Sequence, residues 1–259
     1  MSLLVSLQQC AADAGLNLFG VVDAERFDGC QPQEQRSRRL LRGCGTIVVL
    51  GTAGRGFWRS RRDDHRANGA DAGGEGADDA AQEGAHCVAL RLADLGVCRR
   101  VVDSRSGTLN FGRLGEAAGF GIVSPVSGML LHPTYGPWLR VRAAILATGY
   151  PFGAIADASI AEHFRPCCTC SKPCISACPP AVHDGLGNSD RARCADHRHD
   201  GGCGNGCFSR LACPVGAEYR DAPDAPLHVH SAGLPTVRRW YGLGVWRIVP
   251  RFLRGGPPC

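Results

Sequence analysis

From Leu3 to Ala14 the apolar side chains recur at three- and four-residue steps, as Leu3, Leu4, Leu7, Cys10, Ala11 and Ala14. Gly15 stops the run, so the spacing predicts an amphipathic helix with a glycine C-cap. Leu18 to Val22 follows as a strand. Helix-forming residues run from Pro32 to Arg42 and end at Gly43, and the short β-branched run Thr46 to Leu50 predicts a buried strand. A second helical pattern, Ala81, Ala85, Val88, Ala89, Leu92 and Leu95, closes at Gly96. Val97 to Val102 then predicts a strand ending in Asp103-Ser104, and residues 109–118 a short helix ending at Gly119. Met129–Leu131 and Trp138–Leu146 complete the set of strands. The last of these places Leu139, Val141, Ala143 and Ile145 on one face against Arg140, Arg142 and Ala144 on the other, the period of a half-buried strand.

Helices alternating with strands over residues 1–160 predict an α/β (α+β) first domain. Two glycine-rich or polar stretches interrupt it. Gly51-Thr-Ala-Gly54-Arg-Gly56 runs GxxGxG rather than GxGxxG and opens no helical pattern, so a plain turn is expected in place of a phosphate cradle. Residues 59–79 carry almost no large apolar groups and are expected to form a mobile insertion. Asp103, at a strand end, has two roles open to it: a functional carboxylate at the edge where ligands collect, or the N-cap of the turn that follows.

The chain has 259 residues and a net charge of +5, with 29 basic residues that are all arginine except Lys172. That charge permits an acidic partner without requiring one. Met1 to Cys10 lacks the basic and long apolar regions of an export signal, and no stretch reaches the eighteen or so apolar residues of a spanning helix, so a cytoplasmic protein with no integral membrane span is expected.

Cysteine changes the picture. Nine of the 15 cysteines lie between Cys167 and Cys213, and a proline follows two of them, Cys178 and Cys213. The bacterial pattern for a [4Fe–4S] cluster is three closely spaced cysteines plus a Cys-Pro that reaches to the other cluster. Two such sets are present. Cys167, Cys170 and Cys174 with Cys213 form one, and Cys194, Cys203 and Cys207 with Cys178 form the other, leaving Cys168 spare. Spacings are irregular, with three residues before Cys174 and a looser second set, which leaves an incomplete or absent second cluster open. Two further readings compete: a zinc site shared with His183, His197 or His199, and a disulfide framework, which needs a secreted chain. This cysteine-rich domain is expected over residues 161–222, and residues 223–259 form a tail. Its Arg238-Arg-Trp-Tyr-Gly-Leu-Gly-Val-Trp-Arg-Ile-Val-Pro-Arg-Phe-Leu-Arg254 run is basic and aromatic. Docking of that tail onto the body is favoured over a membrane surface or an acidic partner, because two glycines weaken any helix.

The order of pieces resembles the epoxyqueuosine reductase family, relatives of the corrinoid-dependent reductive dehalogenases. The resemblance rests on Gly15-Leu-Asn-Leu-Phe-Gly-Val-Val-Asp23, Gly45-Thr-Ile-Val-Val-Leu50, Val102-Asp103-Ser104, Glu116-Ala-Ala-Gly-Phe-Gly121, Gly136-Pro-Trp-Leu-Arg-Val and Arg193-Cys194. It implies a nitroreductase-like first domain that holds cobalamin, followed by a small ferredoxin-like domain whose two [4Fe–4S] clusters feed electrons to cobalt. It further implies that Asp103 is the proton donor, with Ser104, His132 and Tyr135 on the cofactor side and His132 and Tyr135 as other proton sources. Three departures stand out. Ile122 to Gly128 has no lysine where the family carries a Gly-Lys pair, the register from Asp103 to Gly119 is longer, and the extension of the tRNA-acting members is missing.

The resulting expectation is an iron–sulfur oxidoreductase that draws on an external ferredoxin- or flavodoxin-type donor. Its substrate would be a small molecule or modified nucleoside, with tRNA disfavoured. A non-catalytic electron-transfer protein and a zinc-stabilised binding module are the alternatives.

Overall fold

The computed structural model describes residues 3–54, 74–94, 96–158, 160, 162–204, 206–220 and 234–254. Helix α1 (Leu3–Asp13) ends where Gly15 turns left-handed at φ +80, with Leu16 N–H returning to the Ala11 carbonyl, and leads into β1 (Leu18–Asp23). Asp23 then caps α2 (Ala24–Gly29) by accepting from Arg26 N–H at 2.9 Å. The continuous helix expected from Pro32 to Arg42 is instead a 3₁₀ turn, Gln33–Gln35, and a short α3 (Ser37–Leu40). The cause is Asp28. This buried carboxylate accepts from the Ser37 and Arg38 N–H groups at 2.7 and 3.2 Å, holding the start of α3 while Arg36 stays extended.

Strand β2 (Cys44–Ala53) runs three residues into the expected turn, and the chain bends only at Gly54, φ +70. Residues 55–73, which hold most of the expected insertion, lie outside the described residues. Helix α4 (Gly74–Ala93) begins earlier than its apolar period, so residues 74–79 are helix rather than insertion. Then come β3 (Arg99–Asp103), α5 (Phe111–Ala117), the two-residue strands β4 (Ile122–Val123) and β5 (Leu130–Leu131), and β6 (Leu139–Thr148). The cysteine-rich stretch carries α6 (Pro173–Ser176), α7 (Arg191–His199) and α8 (Phe208–Leu211). The tail forms α9 (Leu234–Tyr241), a 3₁₀ turn at Gly244–Ile248 and α10 (Arg251–Arg254).

Strands β1, β2, β6 and β3 form one sheet in that order, every pair antiparallel, and β4 pairs with β5 apart from it. The middle strands are covered on both faces. Ile47, Val49, Ala144 and Leu146 face α2 and the α5 region, through Phe27, Leu114 and Phe120, while Val48, Leu50, Ala143 and Ile145 face α1 and α4, through Leu7, Val88 and Leu92. Burying each large side chain there contributes roughly 1.5–3 kcal/mol.

The half-buried reading of β6 is corrected by a bulge. Leu50 pairs with Ala143 but Gly51 with Val141, so Arg142 is the extra residue. Past it the faces exchange: Leu139 and Val141 share a side with Ala144 and Leu146, not with Ala143 and Ile145. Arg142 itself is buried and donates from Nε to Thr52 Oγ1 at 3.1 Å.

An antiparallel sheet also revises the strand-end argument for Asp103. Here β2 and β3 flank β6 and run opposite to it, so Gly54 and Asp103 share the end of the sheet at which β6 begins. Among the described residues no helix is long and apolar enough to cross a membrane.

Candidate functional site

Proline and glycine set the path of the cysteine-rich stretch. Pro166 opens a 3₁₀ turn over Cys167 and Cys168, and Pro173 starts α6 behind Lys172. Among the described residues the only non-glycine residues with left-handed backbone are Lys172, Ala181 and Cys203, at φ 58, 48 and 54. All three lie in this stretch. Such conformations cost of order 1–3 kcal/mol each and persist where the surroundings over-determine them, commonly at sites that bind something.

The thiols fall into two groups of four. Cys174 is pushed above its ordinary pKa by burial, then by the charges of Cys167 and Cys170, against N–H groups of Cys174 and Ile175 that lower it. Cys213 is raised by burial and by Cys174, Cys167 and Cys170, with the Val215 N–H opposing. In the other group Cys194 is raised by burial, then by Cys207, Cys203 and Cys178. Cys203 is raised by burial, Cys207 and Cys178, with the Phe208 N–H and Arg198 lowering it. Each group therefore contains a cysteine that lies far away in sequence among the other group's members. Cys168 is exposed and belongs to neither.

Thiols raised by burial and by neighbouring thiols, as Cys174, Cys213, Cys194 and Cys203 are, make poor thiolates by themselves and good ones around a cationic core, which removes the mutual repulsion. The donor set thus fits an iron–sulfur centre. Among the described residues no three His, Cys, Asp or Glu side chains close on one point as ligands to a single ion do. A four-iron cubane instead takes its thiolates at separate corners. Two of the three histidines of the zinc reading are occupied: His183 bonds Ser189 Oγ at 2.8 Å and Ser209 Oγ at 3.0 Å, and His199 Nδ1 accepts from Arg238 Nε at 3.0 Å, while His197 Nε2 is buried with no hydrogen-bond partner among the described residues. Cys10 and Cys87, outside the cysteine-rich stretch, are bonded to each other across α1 and α4.

The first group does not stand free of the α/β body. Its cradle is lined by Cys167, Cys170, Cys174 and Cys213 on one side and by Ser124, Val126, Met129 and Leu131 on the other. Ile122, Leu131 and Cys213 share a small buried core with Phe164 and Val215. Ser124 is the residue that sequence reasoning missed. Its buried Oγ accepts from the Val126 and Ser127 N–H groups at 3.2 and 3.1 Å and lies 3.4 Å from Cys167 Sγ. With two N–H groups accepted, its own proton points at the sulfur. The Lys172 N–H, 3.3 Å from Cys170 Sγ, is a second donor to the group. Ser124-Pro125 reads as a turn in sequence, but nothing there announces a sulfur 43 positions away.

Around the second group the dominant charge is Arg198. It lies four residues after Cys194 on α7, and its pKa is lowered by burial and raised by Cys194, Cys207 and Cys203.

At the shared sheet end, the turn from His132 to Gly136 carries two rings and Tyr219 adds a third. His132 and Tyr135 have centroids 4.7 Å apart, and Tyr219 meets Tyr135 edge-on at 4.8 Å. His132 Nδ1 accepts the Thr134 and Tyr135 N–H groups at 3.0 and 3.2 Å, and burial lowers its pKa. Gly54 has no side chain, and a Cβ there would come 3.0 Å from the Tyr135 ring. A Cβ at Gly136 would overlap the Val215 carbonyl, so the turn lies directly on the chain that leaves Cys213. Asp103 sits at this end on the far flank of β6. Its carboxylate accepts Arg105 N–H at 2.6 Å and the Arg105 Nε and Nη2 at 2.9 and 2.6 Å, and it caps the 3₁₀ turn Ser104–Ser106. The structure thus gives Asp103 the capping arrangement, places Ser104 beside it, and puts His132 and Tyr135 together on the opposite flank.

No protein-family model matches the sequence, and no curated protein matches it significantly. Solved structures do match. An epoxyqueuosine reductase bound to an epoxyqueuosine-modified tRNA-Tyr stem loop superimposes with a TM-score of 0.60 at 14% identity, over 86% of this chain and 68% of that one. The enzyme of Bacillus subtilis, with its catalytic aspartate loop swung out of the active site, gives 0.57 at 16% identity over 86% and 69%. A reductive dehalogenase, described as supporting a mechanism for B12-dependent dehalogenation, gives 0.55 at 17% identity over 90% of this chain but 35% of its own. At such identities the likeness establishes a shared mixed α/β fold with a small antiparallel sheet.

Proposed function

We propose that the protein is a corrinoid-dependent iron–sulfur reductase in which residues 1–160 form a nitroreductase-like domain and residues 161–222 a ferredoxin-like domain with two [4Fe–4S] clusters. The carrying observation is the interleaved pair of thiol quartets. Each takes one Cys-Pro cysteine from the other's stretch, as paired cubanes do. The shared fold with epoxyqueuosine reductases and a B12-dependent dehalogenase supports the corrinoid.

Cys167, Cys170, Cys174 and Cys213 hold one cluster, and Cys178, Cys194, Cys203 and Cys207 the other. Bound, these groups supply one-electron transfer from an external ferredoxin- or flavodoxin-type donor. The ring surfaces of His132, Tyr135 and Tyr219 at the sheet end suit a planar macrocycle, and we place cobalamin there with Ser104 beside it. Asp103 provides the proton that balances the added electrons, which requires its carboxyl to leave the Arg105 fork. The Bacillus subtilis enzyme is described with its catalytic aspartate loop swung out of the active site, which supports a loop that moves in this fold. The substrate class is a small molecule or modified nucleoside in the cytoplasm. The tRNA seen with one structural neighbour makes a nucleoside within RNA part of that class.

The test is metal analysis of protein purified without oxygen. Eight irons and eight acid-labile sulfides are expected for two cubanes, together with a spectral change on cobalamin titration. Cys174→Ser is expected to remove one cluster, and Cys168→Ser to leave both. Stoichiometric zinc without iron refutes the clusters. Full clusters with no response to cobalamin leave an electron-transfer protein.

A further inference from the structure

Each sulfur of the first thiol group has a hydrogen-bond donor beside it. Cys170 takes the Lys172 N–H at 3.3 Å, Cys174 the Cys174 and Ile175 N–H groups, and Cys213 the Val215 N–H. Those donors are backbone groups of the cysteine-rich stretch itself. The donor to Cys167 differs: it is a side chain, the Ser124 hydroxyl at 3.4 Å, and it comes from the α/β body. Ser124 is 2% exposed, and its backbone is fixed on both sides, its N–H donating to the Met129 carbonyl at 2.8 Å and its carbonyl accepting the Gly128 N–H at 2.9 Å. The Val126 and Ser127 N–H groups that its Oγ accepts account for the turn. They do not account for the hydroxyl proton, which has no acceptor but Cys167 Sγ among the described residues.

The turn is also clamped to the cysteine-rich stretch at its far side. The Ser127 carbonyl accepts the Ser189 hydroxyl at 3.0 Å, and the Val126 carbonyl accepts the Gly187 N–H at 3.3 Å. Gly128, at φ +68, leaves no room for a side chain, since a Cβ would come 2.6 Å from the Gly187 carbonyl. The hydroxyl is therefore held at the sulfur before any charge arrives there.

We infer, on the cluster assignment made above, that the Ser124 hydroxyl raises the reduction potential of the cluster held by Cys167, Cys170, Cys174 and Cys213, so that the α/β body sets the energy of the electron it receives. Adding an electron puts more negative charge on the sulfurs, and a hydrogen bond strengthens as its acceptor gains charge. In a buried site that difference is little screened by water.

The experiment is an anaerobic redox titration of the full chain followed by electron paramagnetic resonance, on the parent, Ser124→Ala and Ser124→Thr, with iron and sulfide counted on the same samples. Cys174→Ser, expected to remove the first cluster, identifies its signal. Ser124→Ala should make reduction of that cluster about three- to tenfold less favourable, tenfold being about 59 mV for a one-electron couple. The second cluster, which Ser124 does not touch, should stay within about 1.5-fold of the parent. Ser124→Thr keeps the hydroxyl and should return the first cluster to within about 1.5-fold of the parent. An unmoved potential in the Ala variant, equal shifts at both clusters, a Thr variant that behaves as the Ala variant does, or loss of the first cluster from the Ala variant leaves Ser124 a turn residue and overturns the inference. Parent protein without iron is a different failure, since it overturns the cluster assignment and this inference with it.

Discussion

Arg198 is expected to set the two clusters apart in potential. On α7 it lies one turn beyond Cys194, on the same helix face, and its charge acts on Cys194, Cys203 and Cys207. The first thiol group has hydrogen bonds from Ser124 and the Lys172 N–H. A fixed positive charge favours the reduced, more negative state of whatever the thiols hold. For a charge about 7 Å from the cluster centre at an effective dielectric constant of about 20, the interaction is about 2.4 kcal/mol. Arg198 is half-buried, so screening by solvent reduces that to about 1 kcal/mol. For a one-electron couple this corresponds to about 45 mV. Arg198→Gln should therefore lower the potential of the second cluster by about 30–60 mV and leave the first within about 10 mV. The assay is an anaerobic redox titration followed by electron paramagnetic resonance, with the first cluster as internal reference. A change below about 10 mV at the second cluster, or equal movement of both, would refute the charge assignment.

Two further outcomes follow from the hydrogen bonds. Asp103→Ala should cost about 1–2 kcal/mol in thermal or denaturant unfolding, because it removes both the cap and the Arg105 fork, whereas Asp103→Asn keeps the cap and should cost clearly less; equal stability of the Ala variant and the parent would remove the capping role. His132 and His183 are both held below their ordinary pKa by burial, the latter against an opposing effect from Asp184. Their folded pKa values lie below the unfolded value of about 6.5, so their contribution is present above that pH and is lost as pH falls toward the folded values. Unfolding at pH 7.5 and 5.5 should show that loss, and His183→Gln should reduce it; an unchanged pH dependence would mean that His183 is not the titrating group.

Legibility differed with the range of the interaction. The apolar periods of α1, β1, β2 and β3 found those elements because burial of one or both faces is written in consecutive residues. The break between Gln35 and Ser37 was not legible, since it depends on Asp28 reaching back to the N–H groups of Ser37 and Arg38. Nor was the exchange of faces at Arg142, because a bulge is a property of a strand pair and the sequence of one strand does not contain it. Asp103 carried both of its roles in the sequence, and Arg105, two residues on, is what the structure adds. The cysteine spacing carried the division into quartets, since Cys-Pro and close thiols are local marks. Ser124 was silent because its meeting with Cys167 is made only when the β4–β5 hairpin packs on the cysteine-rich stretch.

That hairpin contact also orders the molecule. The first thiol group shares buried side chains with Ile122 and Leu131, and the chain leaving Cys213 is pressed by Val215 and Gly216 onto the turn at Tyr135 and Gly136, with no room for a side chain at either glycine. The second group takes Cys194 from α7, which packs chiefly on α9 of the tail. The first group is thus the one fixed to the sheet end, and the second is the one beside the tail. On the proposed function, electrons enter near α7 and leave near Tyr135. Close packing at Gly136 and Gly216 is then what holds donor and acceptor at constant separation, because a rigid contact without side chains leaves the two parts no play against each other.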